Sequence, residues 1–159
     1  MEIRTASAAD LSEIRKLLLA NGLLVEDVSA SLIEGFLVAE DANGSVIGSI
    51  GLEGLGSSVL LRSLAVAPHV RRMGIARELV VRLEDKLRSC GQLDVWLLTT
   101  TAELFFERAG YERVTRNDVP AEVQICRQFA DLCPSTATCM TKRLRPMRSE
   151  SVVKRPLSN

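Results

Sequence analysis

The 159-residue sequence has few aromatic residues, 4% in all, and a single histidine. So small a set of rings offers no aromatic groove for a peptide partner, and His69, between Pro68 and Val70, reads as a loop residue before it reads as a base. An excess of charge of either sign is missing too. Twenty Lys and Arg balance twenty Asp and Glu, so no overall field recruits nucleic acid. No apolar run approaches the roughly 20 residues needed to cross a bilayer. The N-terminal stretch MEIRTASAADLSEIRKL carries acids early and lacks the apolar core of a signal peptide. A cytoplasmic protein with neither membrane nor nucleic-acid partner is therefore expected. Cys90, Cys126, Cys133 and Cys139 form no C-x-x-C pair, and in that compartment they are expected as reduced thiols, with no metal site implied. Neither G-x-G-x-x-G nor G-x-x-x-x-G-K-[ST] occurs, which removes support from nicotinamide and nucleoside-triphosphate readings.

What is present fits one folded domain. Hydrophobic residues make up 47% and charged residues 25%, close to the soluble average, and the length suits one substantial core. The domain is expected over residues 1–145. The remainder, 146–159, has two prolines and little apolar periodicity and reads as a mobile tail.

The alternating EIRTA predicts a strand. In SAADLSEIRKLLLANG, Leu11, Ile14, Leu17 and Leu18 share a helical face, with Ser7 or Asp10 as cap and Asn21-Gly22 as stop. LLVEDVSASLIEG shows a weaker helical pattern, with Glu26 and Asp27 in the connection. Strand character follows over 35–40, 45–54 and 58–67, the first two joined by an Asn43-Gly44 turn. From Arg71, apolar residues at Ile75, Leu79, Leu83 and Leu87 predict a long helix to about Cys90-Gly91. A strand (93–99), a short helix (102–110), a strand (111–115), a short helix from Pro120 and a last strand (136–144) complete the order. This is an α/β domain with a mixed sheet: an antiparallel meander, then a strand–helix–strand unit.

The stretch RRMGIA, residues 71–76, falls where a valine-rich strand gives way to the long helix. A helix start aims unpaired N–H groups and the positive end of its dipole outward, which suits an anion. Arg71 and Arg72 add charge, and Gly74 lets a diphosphate approach the backbone with no Cβ in the way.

LRSLAVAPHVRRMGIARELV resembles the acetyl-CoA-binding segment of the GNAT superfamily of N-acetyltransferases, whose signature is [Q/R]-x-x-G-x-[G/A]. Arg71, Gly74 and Ala76 fill the signature positions, and LFFERAGY is similar to the family's L-Y-E-K-x-G-F. The resemblance spans about residues 2–144. It implies a mostly antiparallel central sheet with helices on both faces and a splayed strand pair. It also implies acetyl-CoA as co-substrate, held by Leu64, Ala65, Val66, Arg71, Arg72, Met73, Gly74, Ile75, Ala76 and Phe106. The Leu64 amide, or a neighbour in that trio, would polarise the thioester carbonyl. Direct acetyl transfer to a bound amine is implied, with no cysteine intermediate, and such proteins often form homodimers.

Two likenesses bear on the acceptor. WLLTTTAELFFERAGYERVTRNDVP is similar to the acetyltransferase domain of N-acetylglutamate synthases. CRQFADLCPSTATCMTKRL, with LLRSLAVAP, is similar to bacterial arsenic-resistance N-acetyltransferases. The first suggests a glutamate-shaped acceptor; the second suggests an arsinothricin- or phosphinothricin-like amino acid analogue, acetylated on its α-amine. Both acceptors are anionic, so Arg62 is a candidate carboxylate clamp, the alternative being an arginine on a solvent-facing part of the sheet. Glu26 is a further candidate substrate contact. Glu53 could take the amine proton through a water, or be an ordinary strand-end carboxylate. Phe106 stands where many members carry a tyrosine acid and has no proton to give; Thr99, Thr100 and Thr101 offer hydroxyls, and the likeness to synthases implies Thr99 as the one near the leaving sulfur. Synthases tend to carry a glutamate where this chain has Leu60. A reading from another class makes Cys126, Cys133 and Cys139 a thiol site for trivalent arsenic.

Overall fold

The computed structural model describes residues 1–126, 129–130 and 136–147. Seven strands form one sheet in the order β1-β2-β3-β4-β5-β7-β6. The first four make the expected antiparallel meander: β1 (Glu2–Thr5), β2 (Leu37–Glu40), β3 (Val46–Leu55) and β4 (Ser58–Val66). The second half is β5 (Asp94–Thr99), β6 (Glu112–Val114) and β7 (Thr138–Arg143), with β7 antiparallel to both of its neighbours. The β4–β5 contact is parallel, as the intervening helix requires.

Four α-helices connect these strands: α1 (Leu11–Ala20), α2 (Ile75–Ser89), α3 (Glu103–Arg108) and α4 (Ala121–Gln124). Adjacent strand residues point to opposite faces, and here they divide between two buried clusters. Leu61, Val95, Leu97 and Met140 join the larger cluster with Ile14 and Leu18 of α1 and Leu79, Leu83 and Leu87 of α2. Leu60 and Cys139 join the smaller one with Val119, Val123 and Phe129, flanked by Trp96 and Leu98. Helices therefore cover both faces of the sheet. The spacing Ile75, Leu79, Leu83, Leu87 does bury one stripe of α2. On β3, Gly51 is needed for packing: a Cβ there would stand 2.2 Å from the ring of the buried Phe36.

Two sequence expectations are corrected. The long helix begins at Ile75, not Arg71, because Arg72 (φ 70°) and Gly74 (φ 82°) are left-handed and cannot lie within a right-handed helix. LLVEDVSASLIEG holds no α-helix, only a 3-10 turn at Leu32–Gly35. Its earlier residues form an irregular connection fastened from outside, Arg15 donating to the carbonyls of Val25 (3.0 Å) and Val28 (2.7 Å). Among the described residues the helix from Pro120 is α over Ala121–Gln124. Residues 148–159, most of the expected tail, lie outside the described residues, as does Cys133.

Candidate active site

β4 and β5 pair only at Val59 with Val95 and Leu60 with Trp96. Beyond that point the strands part, although β4 runs on to Val66 and β5 to Thr99. The edge of β4 from Leu61 onward therefore faces a cleft with no strand bonded to it. That cleft is a cavity of about 290 Å³. Its walls are Leu61–Leu64 on one side and Leu97–Thr101 on the other, closed by Phe106 of α3 and by Gly22–Leu24 of the connection after α1.

A β-bulge shapes the β4 wall. Ser49 pairs with Ala65 and Gly51 with Arg62, so Ser63 and Leu64 together oppose the single residue Ile50. Ser63 takes a left-handed backbone, φ 59°, which for a residue with a Cβ costs about 1–2 kcal/mol. Two side chains hold it there. The fully buried Ser49 donates its hydroxyl to the Ser63 carbonyl at 2.9 Å, and Arg62 Nε donates to Ser63 Oγ at 3.3 Å.

The corner 67–75 follows the end of the β4 wall, and Asn21 touches both Val66 and Arg71 there. Pro68–Val70 form a 3-10 turn, Arg71 is extended, and Gly74 caps α2 with no side chain bonded to the helix start. The first-turn N–H groups of Ile75, Ala76 and Arg77 have no partner within the helix. No atom lies within 4 Å of where a Gly74 Cβ would stand, so the space over these amides is open. Arg71, Arg72 and Met73 are exposed around it, while the Ile75 side chain is buried in the core. Ile75 can therefore offer a ligand its amide but not its side chain. Exposed arginines and unpaired first-turn amides suit an anion, as the sequence suggests, and the unpaired strand edge with its neighbouring cavity suits a long thioester-bearing arm. Coenzyme A has both parts.

The structure places the other candidate residues as follows. Thr99 lies at the end of β5 in the cleft lining, its hydroxyl accepting the Ala102 N–H at 3.0 Å. Its own proton is thus directed away from that amide. Phe106 lines the cleft and packs edge-on against Phe105 and Tyr111. Arg62 lines the cleft but is not on solvent, and its guanidinium is already engaged. It forms a two-pronged pair with Asp27, both contacts at 2.6 Å, and reaches Glu53 at 3.2 Å. Burial opposes its charge, yet Asp27 and Glu53 hold its pKa above the ordinary arginine value. Glu53 is therefore in the site's polar network, through Arg62. Glu26 is not: it is exposed and folded onto the Val25 N–H at 3.2 Å.

Sequence reasoning missed Asp27, Ser49 and Asn21. Asp27 is one residue from the candidate Glu26, and only the course of the loop distinguishes them. Asn21, read only as a helix stop, also donates to the Val66 carbonyl at 3.3 Å and accepts from Arg71 at 2.8 Å.

The thiol reading gains no geometry. Cys126 and Cys139 are buried, and burial raises the Cys139 thiol pKa, which disfavours the thiolate that arsenic or a metal would need. Among the described residues no group of three His, Cys, Asp or Glu is arranged to hold a metal ion, and no helix is long and apolar enough to cross a membrane.

Comparison with known proteins bears on the family and the fold. Residues 33–113 match the model of the acetyltransferase (GNAT) domain. An uncharacterized N-acetyltransferase of Chlorobaculum tepidum is 31% identical over 86% of this chain and 87% of its own. An amino-acid acetyltransferase of Mycobacterium tuberculosis is 33% identical over 80% of this chain and 78% of its own. Among solved structures, a Mycobacterium tuberculosis protein in complex with CoA superposes with TM-score 0.78 at 28% identity, covering 91% of this chain and all of that one. The N-acetylglutamate synthase of Neisseria gonorrhoeae shares the fold at TM-score 0.79 and 21% identity, over 91% of this chain and 35% of its own.

Proposed function

The chain belongs to the GNAT acetyltransferase family, and from that premise we propose that it acetylates the α-amine of a small amino acid or amino acid analogue. It is an acetyl-CoA-dependent N-acetyltransferase; the acceptor is the proposal. The observation that carries it is the cleft where β4 and β5 splay apart, with the 71–76 corner following the end of β4. The amino-acid acetyltransferase of Mycobacterium tuberculosis, at 33% identity, supports an amino acid as acceptor. Glutamate, phosphinothricin and arsinothricin are the acceptors to try first, the last two carrying the suggestion of arsenic resistance.

Acetyl-CoA supplies an activated acyl group as its thioester. The residues of the chain would bind it in two parts. Arg71, Arg72 and the amides from Met73 to Ala76 would hold the diphosphate, and Leu64, Ala65 and Val66 would meet the arm along the free edge of β4. In acyl transfer, charge develops on the carbonyl oxygen. A fixed N–H such as that of Leu64, aimed by the bulge, would stabilise that charge by roughly 3 kcal/mol. Phe106 would exclude water from the cleft, and the Thr99 hydroxyl would donate a hydrogen bond to the departing thiolate. Glu53, next to Arg62, would accept the amine proton through a water.

A thiol-release assay with acetyl-CoA and a panel of amines tests this reading. Turnover with an amino acid, and none with its N-methylated or α-hydroxy analogue, is the expected result. No CoA release with any amine, together with no heat on titrating CoA, sinks it.

A further inference from the structure

Arg62 is the only ionisable residue in the described lining of the cleft, and its side chain is 0% exposed. A guanidinium has five N–H groups in a fixed fork, about half of which a carboxylate clamp must leave free as an adjacent pair. Here Nε donates to Ser63 Oγ (3.3 Å), Nη1 to Asp27 Oδ2 (2.6 Å) and Glu53 Oε1 (3.2 Å), and Nη2 to Asp27 Oδ1 (2.6 Å). One N–H on Nη2 is left over. No two-pronged face remains for a second carboxylate.

The groups that Arg62 does touch belong to three segments that build the cleft. Asp27 lies in the connection whose residues Gly22, Leu23 and Leu24 cover the cavity. Glu53 is on β3, and Ser63 is the left-handed residue of the β4 bulge. The connection has no strand or α-helix of its own at 21–31, so its position over the cleft depends on side chains. Arg15 fixes it from α1 and Arg62 from the sheet. The charges of Arg62, Asp27 and Glu53 sum to −1, which also makes this spot a poor seat for an anion.

We propose that Arg62 is a positioning residue: it joins the 21–28 connection to the bulge at Ser63 and so sets the shape of the acceptor cleft, and it does not bind the acceptor's carboxylate. The inference rests on the acetyltransfer reading above for its kinetic test, and stands on its own in a second measurement.

In the kinetic test, kcat/KM is measured for the wild type, Arg62→Lys and Asp27→Asn, with glutamate, its 1-amide and glutamine, which together delete each carboxylate in turn. A positioning role lowers kcat/KM for all three acceptors by the same factor, about tenfold or more, in both variants. The acceptor ratios then stay within about twofold of wild type. A loss in Arg62→Lys confined to the acceptors that share one carboxylate, α or γ, with Asp27→Asn unaffected, overturns the proposal. If the wild type acetylates no amine, the functional reading fails separately, and hydrogen exchange decides this one. In Asp27→Asn, amides of 22–28 and 61–66 should exchange about tenfold faster while those of α2 keep their protection. Unchanged exchange in both segments overturns it.

Discussion

Asn21 accepts a hydrogen bond from Arg71 Nη2 at 2.8 Å while its own amide donates to the carbonyls of Leu17, at 2.9 Å, and Val66, at 3.3 Å. One side chain thus ties the end of α1 to the last residue of β4 and to the cofactor corner. An exposed arginine loses considerable rotamer freedom when it binds an anion, and Asn21 removes part of that freedom beforehand. Asn21→Ala should raise the acetyl-CoA KM by about fivefold to tenfold with kcat little changed, the pattern of lost uniform binding. Combined with Arg71→Ala it should add little further. Full additivity of the two in a double-mutant cycle would show that they act independently.

Gly74 has φ 82° and nothing within 4 Å of its missing Cβ. The backbone alone makes Gly74→Ala cost about 1 kcal/mol, because an L side chain is strained there. Gly74→Val also projects a branched side chain into the open space over the first turn of α2. The acetyl-CoA KM should rise several-fold for alanine and by more than about thirtyfold for valine, with the circular dichroism spectrum intact. A valine variant with the wild-type KM would mean that the diphosphate sits elsewhere.

Asp10 is nearly buried, and Arg4 grips both its carboxylate oxygens, at 2.8 and 2.9 Å, while the Ser7 N–H adds a third contact at 2.8 Å. The hydrogen bonds from Arg4, aided by Ser7, outweigh burial and lower the Asp10 pKa from 3.8 to about 2. The folded state therefore holds the proton less readily than the unfolded chain. The resulting stability, about 2 kcal/mol, is present in full above the unfolded value and is lost as pH falls through the folded one. Asp10→Asn should cost about that much at pH 7 and flatten the urea stability profile between about pH 4 and 2. A wild-type slope retained by the variant would assign acid lability to other carboxylates.

Much of this arrangement is legible in the sequence because local chemistry fixes it. Asn43-Gly44 sets the β2–β3 hairpin, a four-residue apolar repeat sets α2, and the R-x-x-G-x-A stretch marks the corner between β4 and α2. What could not be read depends on contacts far apart in the chain. Arg62 and Asp27 lie 35 positions apart, and no periodicity tells that they meet; an arginine next to a bulge looks like a surface residue or a substrate clamp. The choice between Glu26 and Asp27 is likewise decided by how Arg15 and Arg62 fasten a loop with no repeat of its own. α2 begins later than Arg71 for a local reason: Arg72 and Gly74 take left-handed conformations that a right-handed helix does not admit.

The one tyrosine of the chain, Tyr111, donates its hydroxyl to Glu84 at 2.9 Å, and Lys142 reaches the same carboxylate at 3.0 Å. Burial first, and the Glu84 charge second, raise the phenol pKa above its usual 10. Tyr111 therefore keeps its proton and does not stand in for the acid that Phe106 lacks. Because the folded pKa is the higher one, its contribution is complete below about pH 10 and declines above it as the unfolded state ionises. Ultraviolet titration should show no tyrosinate in the folded protein near pH 10 and its appearance only with unfolding. Lys142→Met, which leaves Glu84 only Arg88, at 3.9 Å, as a cation, should destabilise by about 3 kcal/mol, and Lys142→Met with Glu84→Leu should recover part of that.

Thr99 carries two duties that can be separated. Its oxygen accepts the Ala102 N–H at 3.0 Å, holding the start of α3 and with it Phe106 in the cleft wall. Its proton is the only other thing the hydroxyl has to give. Thr99→Val keeps the shape and removes both. Loss of the cap alone costs about 1 kcal/mol of stability and leaves any turnover with the wild-type pH profile. Loss of a hydrogen-bond donor to the thiolate should instead lower kcat by about tenfold to a hundredfold, most severely where the free sulfur is hardest to expel. Thr99→Ser restores the hydroxyl without the methyl and should recover most of kcat. If Thr99→Val keeps the wild-type kcat, the hydroxyl is not needed, and the sulfur leaves unassisted by this residue.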